Sequence, residues 1–276
     1  MFKLRLLLTI SAALTSAGCT HLFFQPSAAI FSDPAAEGLR YETIKFSAAD
    51  ATPLTGIFFP AAGAPLGTIV HFHGNARNMT AHFPYSAWLA KEGFNVFIFD
   101  YRGYGASGGK PQLPGLVLDG MAALAQAARL PGAQPGKIIV FGQSLGGAVA
   151  AAAVAQYGLT PAAMVLEGVF YSYKGVAAAV LRSRWWSWPL AWLPAAAVTA
   201  KYAPSDYIGK IACPKIFIHS LTDRAVPAEQ GRKLFNAAGA PKEFWQVPSG
   251  HIEAFGQHRA VYGPKLVEFL KTALKS

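Results

Sequence analysis

Apolar and polar positions divide the chain into alternating strand-like and helix-like segments. Continuous apolar runs predict buried strands at GTIVHFHG, FNVFIFD, KIIVFG, AAMVLEG, PKIFIHS and EFWQVPS. The segments between them have helical spacing, as does the alanine-rich stretch after Gly147; they are Tyr85–Glu92, Leu116–Leu130, Pro227–Ala238 and Arg259–Leu274. Continuous apolar strands that alternate with helices are typical of a parallel sheet covered on both faces. The pattern predicts one α/β domain, opened by a hairpin or meander of YETIKFS and LTGIFFP.

The first residues have the pattern of a targeting segment. Lys3 and Arg5 precede an apolar run and small residues that end at Cys19. SAGC resembles a bacterial lipobox, in which the cysteine is acylated and becomes the first residue. We therefore expect a lipoprotein-type signal peptide at 1–18, lipidation at Cys19 and a mature domain at 19–276. Ordinary signal-peptide cleavage and an uncleaved membrane anchor are the alternatives.

The lipobox resemblance implies a location as well as an anchor. Thr20 is not the aspartate that retains many lipoproteins at the inner membrane of Gram-negative bacteria. We expect a membrane-surface protein of the bacterial cell envelope, at the outer membrane if the source is Gram-negative. A periplasmic or secreted protein is the alternative if Cys19 is not acylated.

Composition narrows the choice of partners. The chain has 276 residues, of which 53% are hydrophobic and 14% charged, so a large core is easily filled. The net charge of +10 has no lysine- or arginine-rich run and no zinc-finger or RNA-recognition pattern, so we expect no nucleic acid partner. The positive charge favours a basic enzyme that faces anionic lipid, and a soluble protein with dispersed positive charge is the alternative. If Cys19 is acylated, Cys213 is a lone thiol, which we expect to be buried and inert.

One serine lies at the junction of a predicted strand and a predicted helix. In KIIVFGQSLGGAVAAAAV, Ser144 has Gly142 two positions before it and Gly146 two positions after it. A sharp strand-to-helix turn needs small residues there and exposes the serine hydroxyl at the edge of the sheet. The N–H groups at the start of the helix favour a developing oxyanion. Because G-x-S-x-G also arises by chance, this serine needs a base and an acid before it can be assigned as a nucleophile.

Two further candidates follow the last two predicted strands. Asp223 lies three residues after KIFIHS, and His251 follows EFWQV. In parallel α/β sheets, functional residues collect in loops at the carboxyl ends of strands, where Ser144 also lies. The order serine, aspartate, histidine is the chain order of the α/β-hydrolase triad. Glu167, which ends the sixth strand, and Asp206, which precedes the seventh, are the alternative acids.

Together these motifs resemble those of an α/β hydrolase of the serine-aminopeptidase-like branch, which contains esterases, lipases and lysophospholipases with small caps. HFHGNARN resembles the oxyanion strand and loop, FDYRGYGASGG the next signature loop, GQSLGG the nucleophile elbow, IHSLTDRAVP the acid loop and PSGHIEAF the histidine loop. Ser220 stands where many members have glycine. The resemblance implies an α/β-hydrolase fold, with a mostly parallel central sheet covered by helices on both faces. It also implies a small helical cap between the sixth and seventh strands, at about 170–211.

The resemblance further implies the role of each site residue. Within the triad, the serine would attack, the histidine would serve as base and then as acid, and the aspartate would orient the imidazole. Two backbone N–H groups would form the oxyanion hole. One belongs to Leu145, which follows the nucleophile, and the other to Asn75, with Ala76 as the alternative.

Two polar features near the oxyanion loop admit more than one interpretation. His71 and His73 share a strand face and could bind a metal, but HFHGNARN contains no carboxylate, so we expect neither metal nor cofactor. We favour support of the oxyanion loop as their role. For Arg102 in DYRGYG we favour packing beneath that loop, and binding of an acidic substrate is the alternative. The glycines of this loop are not a dinucleotide fingerprint, because no G-x-G-x-x-G opens a helix.

The cap sequence bears on the substrate. RSRWWSWPLAWLP contains four of the six tryptophans, Trp185, Trp186, Trp188 and Trp192. We expect at least one of them to line the acyl pocket or its rim, and the alternative is that they pack a crossover helix against the sheet. The sequence thus predicts a lipid-anchored serine hydrolase that cleaves carboxylic esters, including lipid or lysophospholipid acyl esters, through an acyl-enzyme. A peptidase or amidase with the same triad and a non-catalytic envelope lipoprotein are the alternatives.

Overall fold

The computed structural model describes residues 24–182, 192, 198, 200–248 and 250–275. The expected signal peptide, its Cys19 and the tryptophans Trp185, Trp186 and Trp188 lie outside the described residues. Within the described part of the chain, no helix is both long enough and apolar enough to cross a membrane.

One sheet organises the described chain. Its eight strands are β1 Glu42–Ser47, β2 Pro53–Phe59, β3 Thr68–Phe72, β4 Asn95–Asp100, β5 Ile138–Gln143, β6 Ala163–Glu167, β7 Lys215–Ser220 and β8 Lys242–Val247. The spatial order is β8-β7-β6-β5-β3-β4-β2-β1. Strand β2 is antiparallel to both β1 and β4, and every other neighbouring pair is parallel. The predicted opening hairpin and the mostly parallel sheet are both confirmed.

Helices cover both faces of this sheet. The longer ones are α1 Leu113–Ala127, α2 Leu145–Tyr157, α3 Tyr173–Arg182, α4 Ala228–Ala237 and α5 Arg259–Ala273. Single helical turns occupy Met79–His82, Phe83–Tyr85, Ala87–Ala90, Pro135–Lys137, Pro204–Asp206 and Ile208–Lys210. Helix α1 begins three residues before the predicted start and includes Pro114 in its first turn. Proline is accepted there because the N–H that it lacks would have no partner within the helix.

The predicted helix over Tyr85–Glu92 is wrong. The segment instead forms two separate turns of 3₁₀ helix, and the chain bends at Ser86 between them. The backbone N–H groups of Ser86 and Leu89 donate to carbonyls three residues earlier, and Pro84 cannot donate within the first turn.

Alternate strand residues point into two separate apolar layers. Val70 and Phe72 of β3 belong to the layer that packs under α1, α2 and α4, whereas Ile69 belongs to the layer under α5 and the turns at 79–90. Every residue of α2 from Leu145 to Val154 is buried, so this helix lies in the interior and has no polar face. The sequence pattern of continuous apolar strands is explained by burial on both faces.

Two segments outside the sheet border the carboxyl ends of its central strands. Gln25–Pro26 pairs in parallel with Ala76–Arg77, in the loop that follows β3. Between β6 and β7 the chain forms α3, and the two turns at 204–210 return it to β7. Trp192, in this insertion, is 64% exposed.

Candidate active site

The turn from β5 to α2 holds Ser144 in a strained conformation. Its φ of 52° and ψ of −119° lie in a region that residues with a side chain rarely adopt. Surrounding contacts maintain this geometry: its backbone N–H donates to the carbonyl of Glu167 at 2.8 Å. A Cβ on Gly146 would lie 2.0 Å from the carbonyl oxygen of Phe72, so only glycine fits there. The predicted strand-to-helix elbow is present. Its glycine at position 146 is required because the Phe72 carbonyl leaves no room for a Cβ.

The serine faces a cavity of about 480 Å³ at the carboxyl edge of the sheet. The described residues that line it are Gln25, Gly74, Asn75, Ala76, His82, Ser144, Leu145, Phe170, Val176, Arg224, Ala225, Val226, His251 and Ile252. The side chain of Ser144 makes no capping hydrogen bond to α2. Several sequence-distant segments therefore meet at one cavity, among them the elbow, the loop after β3, the acid loop and the histidine loop.

A carboxylate orients the histidine of this cavity. The Nδ1 atom of His251 lies 2.6 Å from Oδ2 of Asp223. The other carboxylate oxygen, Oδ1, accepts hydrogen bonds of 2.8 Å from the backbone N–H groups of Ala225 and Val226. Asp223 is buried, whereas the His251 side chain is 24% exposed. With Nδ1–H donated to the carboxylate, Nε2 is the ring nitrogen that can accept a proton.

Neither alternative acid hydrogen-bonds to this histidine. Glu167, at the end of β6, accepts from Nε2 of Gln143 through Oε2 and from the backbone N–H of Ala254 through Oε1, both at 2.8 Å. Burial raises the pKa of Glu167 to about 7. Asp206 lies in the turn Pro204–Asp206, outside the described lining of the cavity. Glu167 thus links the strand that carries the serine to the loop that carries the histidine.

A second histidine, which no sequence motif singles out, supports the acid. Nε2 of His219, in β7, lies 2.8 Å from the carbonyl oxygen of Val226 and 3.6 Å from Oδ2 of Asp223. Burial lowers the pKa of His219. The neutral ring donates to that carbonyl and closes the acid loop against β7. A histidine at the end of an apolar strand was the available signal, but its partner is seven residues away and in another element.

The loop after β3 borders the cavity beside the elbow. Asn75, Ala76 and Leu145 all line it, so both proposed sources of the second oxyanion N–H are close to the serine, and the choice between them remains a prediction. Two tyrosine hydroxyls donate hydrogen bonds to residues of this loop. The Tyr104 hydroxyl donates to Oδ1 of Asn75 at 3.0 Å, and the Tyr101 hydroxyl donates to the carbonyl of His73 at 3.2 Å.

The two histidines of HFHG lie in separate polar contacts. Nδ1 of His71 is 2.8 Å from Oγ of Ser86, and Nε2 is 3.1 Å from Oε1 of Gln143. Burial lowers the pKa of His71, which keeps the ring neutral. His73 instead places Nδ1 2.7 Å from the carbonyl oxygen of Gly74. Across the part of the chain that the structure describes, no three His, Cys, Asp or Glu side chains cluster as metal ligands.

Arg102 lies outside the described lining of the cavity. It is buried and forms ion pairs with Asp119 of α1 at 2.7 Å and with Asp50, between β1 and β2, at 2.8 Å. The guanidinium thereby bridges α1 and the β1–β2 hairpin. Because both carboxylates bind the guanidinium, few of its N–H groups are available to an acidic substrate.

Cys213 is a buried free thiol just before β7. Burial raises its pKa to about 11, so the nucleophilic thiolate is scarce at neutral pH. The expectation of a buried, unreactive cysteine agrees with this environment.

Known proteins resemble this chain in sequence. Residues 63–208 match the family described as serine aminopeptidase, S33. The uncharacterized protein YfhR of Escherichia coli O157:H7 is 35% identical over 243 residues, which cover 84% of this chain and 81% of that protein. The alpha/beta hydrolase domain-containing protein WAV2 of Arabidopsis thaliana is 31% identical over 251 residues, with 86% of this chain and 81% of that protein covered.

Solved structures share the fold at lower identity. The Pyrococcus furiosus esterase Pf2001 superposes with a TM-score of 0.73 and 22% identity, over 90% of this chain and 97% of that one. The Pyrococcus horikoshii acylaminoacyl peptidase gives a TM-score of 0.68 and 18% identity, over 86% of this chain and 42% of that one. These superpositions confirm the predicted α/β-hydrolase fold.

Proposed function

Because this chain belongs to the serine aminopeptidase S33 family of α/β hydrolases, we propose that it is a serine hydrolase that cleaves carboxylic esters through an acyl-enzyme. One observation carries the proposal. Ser144 on its strained elbow and His251, bonded at 2.6 Å to the buried Asp223, line the same cavity. This arrangement supplies a nucleophile, a base and an orienting acid in one place.

The proposed reaction uses these groups in two steps. Nε2 of His251 takes the proton of Ser144 as Oγ attacks the ester carbonyl carbon, and the resulting oxyanion accepts hydrogen bonds from backbone N–H groups of Leu145 and Asn75. Collapse breaks the ester bond, and the imidazolium returns its proton to the leaving alcohol. A water molecule, activated by the same imidazole, then releases the acid. Asp223 remains ionised throughout and stabilises the imidazolium.

The lining of the cavity favours an acyl substrate. Leu145, Phe170, Val176, Val226 and Ile252 provide apolar surface around the serine. Burial of each methylene of an acyl chain against such surface contributes about 0.8 kcal/mol. One solved structure that shares the fold is an esterase, and another is an acylaminoacyl peptidase. Amide cleavage by the same triad is therefore the second candidate.

An envelope location would place this cavity beside lipid. Gln25, which lines the cavity, is six positions after Cys19, a reach of about 20 Å when extended. We propose that Cys19 carries the lipid anchor and that the net charge of +10 favours anionic membrane surface. Lipid or lysophospholipid esters are then the substrates that the tether brings nearest. Intact-mass analysis of membrane-extracted protein tests the anchor: the expected N-terminus is an acylated Cys19, and an unmodified mass contradicts it.

Covalent labelling tests the chemistry itself. Full-length protein is treated with a fluorophosphonate probe, and the modified peptide is identified by mass spectrometry. We expect modification at Ser144, and none in folded Ser144→Ala protein. Hydrolysis of p-nitrophenyl esters of increasing chain length, measured beside peptide amides, separates an esterase from an amidase. Absence of labelling in folded wild-type protein would contradict the proposal and favour a binding protein.

A further inference from the structure

The first described residues form a wall of the candidate active site. Phe24 is 5% exposed and packs in the same apolar layer as Tyr104 and Leu145. The next residue, Gln25, lines the cavity that contains Ser144. Residues 24–31, named here the N-terminal segment, precede the first strand of the sheet and are far in sequence from every member of the triad. Their position at the cavity therefore has to be explained by specific contacts.

Backbone pairing attaches this segment to the loop after β3. Gln25 and Pro26 pair with Ala76 and Arg77, and the N–H of Ser27 donates to the carbonyl of Arg77 at 3.1 Å. Arg77 has a φ of 71°, so the loop makes a sharp, strained bend where the segment contacts it. The pairing holds the backbone of the residues immediately after Asn75, the proposed oxyanion donor.

Further hydrogen bonds hold the segment against the loop after β3. Nδ2 of Asn78 donates to the carbonyls of Ser27 and Ala29, both at 2.7 Å. The backbone N–H of Gly105 donates to the carbonyl of Ser27 at 3.1 Å. The Tyr104 hydroxyl, next to Gly105 in sequence, donates to Oδ1 of Asn75 at 3.0 Å. The segment is thus hydrogen-bonded both to the loop that contains Asn75 and to the turn that supports this loop.

We propose that the N-terminal segment serves the active site through its backbone pairing and through the side chain of Gln25, in two roles that rest on the proposed esterase function. Its pairing with Ala76–Arg77 positions the oxyanion loop, and Gln25 is a specificity-determining residue that limits the size of ester the cavity accepts. The first role acts on the reaction of every ester, because the oxyanion forms with each of them. The second acts on selection among esters, because only larger substrates reach the wall at Gln25.

A matched pair of variants at Ser27 tests the positioning role. Ser27→Pro removes the N–H that donates to Arg77 and places a ring against that carbonyl, whereas Ser27→Ala keeps the N–H. Both variants lose the hydroxyl that accepts a hydrogen bond from Ala29, so this loss cancels in the comparison. We expect kcat for p-nitrophenyl acetate to fall about tenfold or more in Ser27→Pro, and to stay within about twofold of wild type in Ser27→Ala. Equal kcat in the two variants, with both folded, overturns this role.

A second pair tests the wall. Gln25→Trp enlarges an exposed residue that lines the cavity, and Ala28→Trp adds the same ring to another exposed position of the segment, outside the described lining. We expect Gln25→Trp to lower kcat/KM for long-chain esters at least about fivefold more than for acetate, and Ala28→Trp to leave that ratio unchanged. An unchanged ratio in Gln25→Trp overturns the specificity role.

Failure of the proposed function gives a different result. In that case the wild-type protein neither hydrolyses esters nor labels with fluorophosphonate. Amide hydrogen exchange at residues 74–78, compared between Ser27→Pro and Ser27→Ala in full-length protein, then decides whether the segment holds the loop. Faster exchange in Ser27→Pro alone supports the contact, and equal exchange overturns it.

Discussion

Oδ2 of Asp223 lies 2.6 Å from Nδ1 of His251, while Oδ1 of the same carboxylate accepts two backbone hydrogen bonds. One oxygen is therefore committed to the imidazole and the other to the acid loop. This division fixes both the position of the ring and its tautomer. It also separates the role of Asp223 from that of Glu167, whose two oxygens bind Gln143 and Ala254 instead.

Asp223→Asn should remove most of the activity without loss of the fold. The asparagine keeps the shape but presents either an amide N–H or a neutral oxygen to Nδ1, so the correct tautomer is no longer favoured. We expect kcat to fall about 10⁴-fold. Glu167→Gln is the matched control, with an expected loss of no more than about tenfold. A larger loss in folded Glu167→Gln than in Asp223→Asn would show that Glu167 is the acid.

The conformation of Ser144 predicts opposite effects on activity and stability. Glycine accepts a φ of 52° without the steric strain that any side chain experiences. Ser144→Gly and Ser144→Ala should both lack turnover, but the glycine variant should be more stable than the alanine variant by about 1 kcal/mol. Thermal unfolding of the two inactive proteins measures the difference. Equal midpoints would mean that the elbow is not strained.

Gly146 should tolerate no side chain. A Cβ at this position would lie 2.0 Å from the carbonyl oxygen of Phe72 and 2.4 Å from that of His73, both of which are backbone atoms. We expect Gly146→Ala to destabilise the protein by about 3 kcal/mol. Gly136→Ala is the control, because nothing lies within 4 Å of its Cβ, and its change should stay within about 0.5 kcal/mol. Urea unfolding that ranks the two variants alike would contradict the contact.

The buried carboxyl of Glu167 should make stability depend on pH. Burial raises its pKa from 4.5 in the unfolded chain to about 7 in the folded protein. Between these values the folded protein keeps a proton that the unfolded chain has released. The free energy of unfolding therefore falls as the pH rises through this range, by a total of about 3 kcal/mol.

Glu167→Gln isolates this contribution from those of other buried groups. Relative to wild type, the variant should gain stability as the pH rises from 4.5 to 7, because glutamine does not titrate. Urea unfolding of both proteins at several pH values measures the difference. Parallel pH curves for the two proteins would show that Glu167 does not titrate in this range.

Arg102 should matter for stability and not for substrate binding. Arg102→Met leaves Asp119 buried without its cation, and burial already raises the pKa of that carboxyl. We expect a loss of about 3–5 kcal/mol. Asp50→Asn breaks the pair with a carboxylate that is 41% exposed, so its effect should stay below about 1 kcal/mol. A selective rise in KM for anionic esters in folded Arg102→Met would return this residue to the substrate site.

The sequence was most informative where function depends on local backbone geometry. The strand, the two glycines and the helix around Ser144 are contiguous, so the elbow could be predicted from a dozen residues. Asp223 and His251 were found because parallel strands bring their carboxyl ends to one edge. Their 2.6 Å contact is a consequence of topology that the spacing alone did not contain.

Contacts between distant elements could not be read in the same way. The sequence indicates only an alternative catalytic acid at Glu167, because nothing in AAMVLEG shows that its oxygens contact Gln143 and Ala254. Gln25 gave no signal at all, since its two-residue strand is too short to have a pattern. The helix predicted over Tyr85–Glu92 had suitable residues, but the bonds that form there span three residues rather than four.

The N-terminal segment has a consequence for biosynthesis. The cavity combines Gln25 with His251, which is synthesised much later than Gln25. Gln25 cannot pair until Ala76 has been synthesised, and the cavity stays incomplete until His251 has been added. A chain that has not been extended to residue 251 lacks the imidazole that Asp223 orients. A recombinant protein that begins after residue 31, in contrast, would contain Ser144, Asp223 and His251 but lack one wall of the cavity.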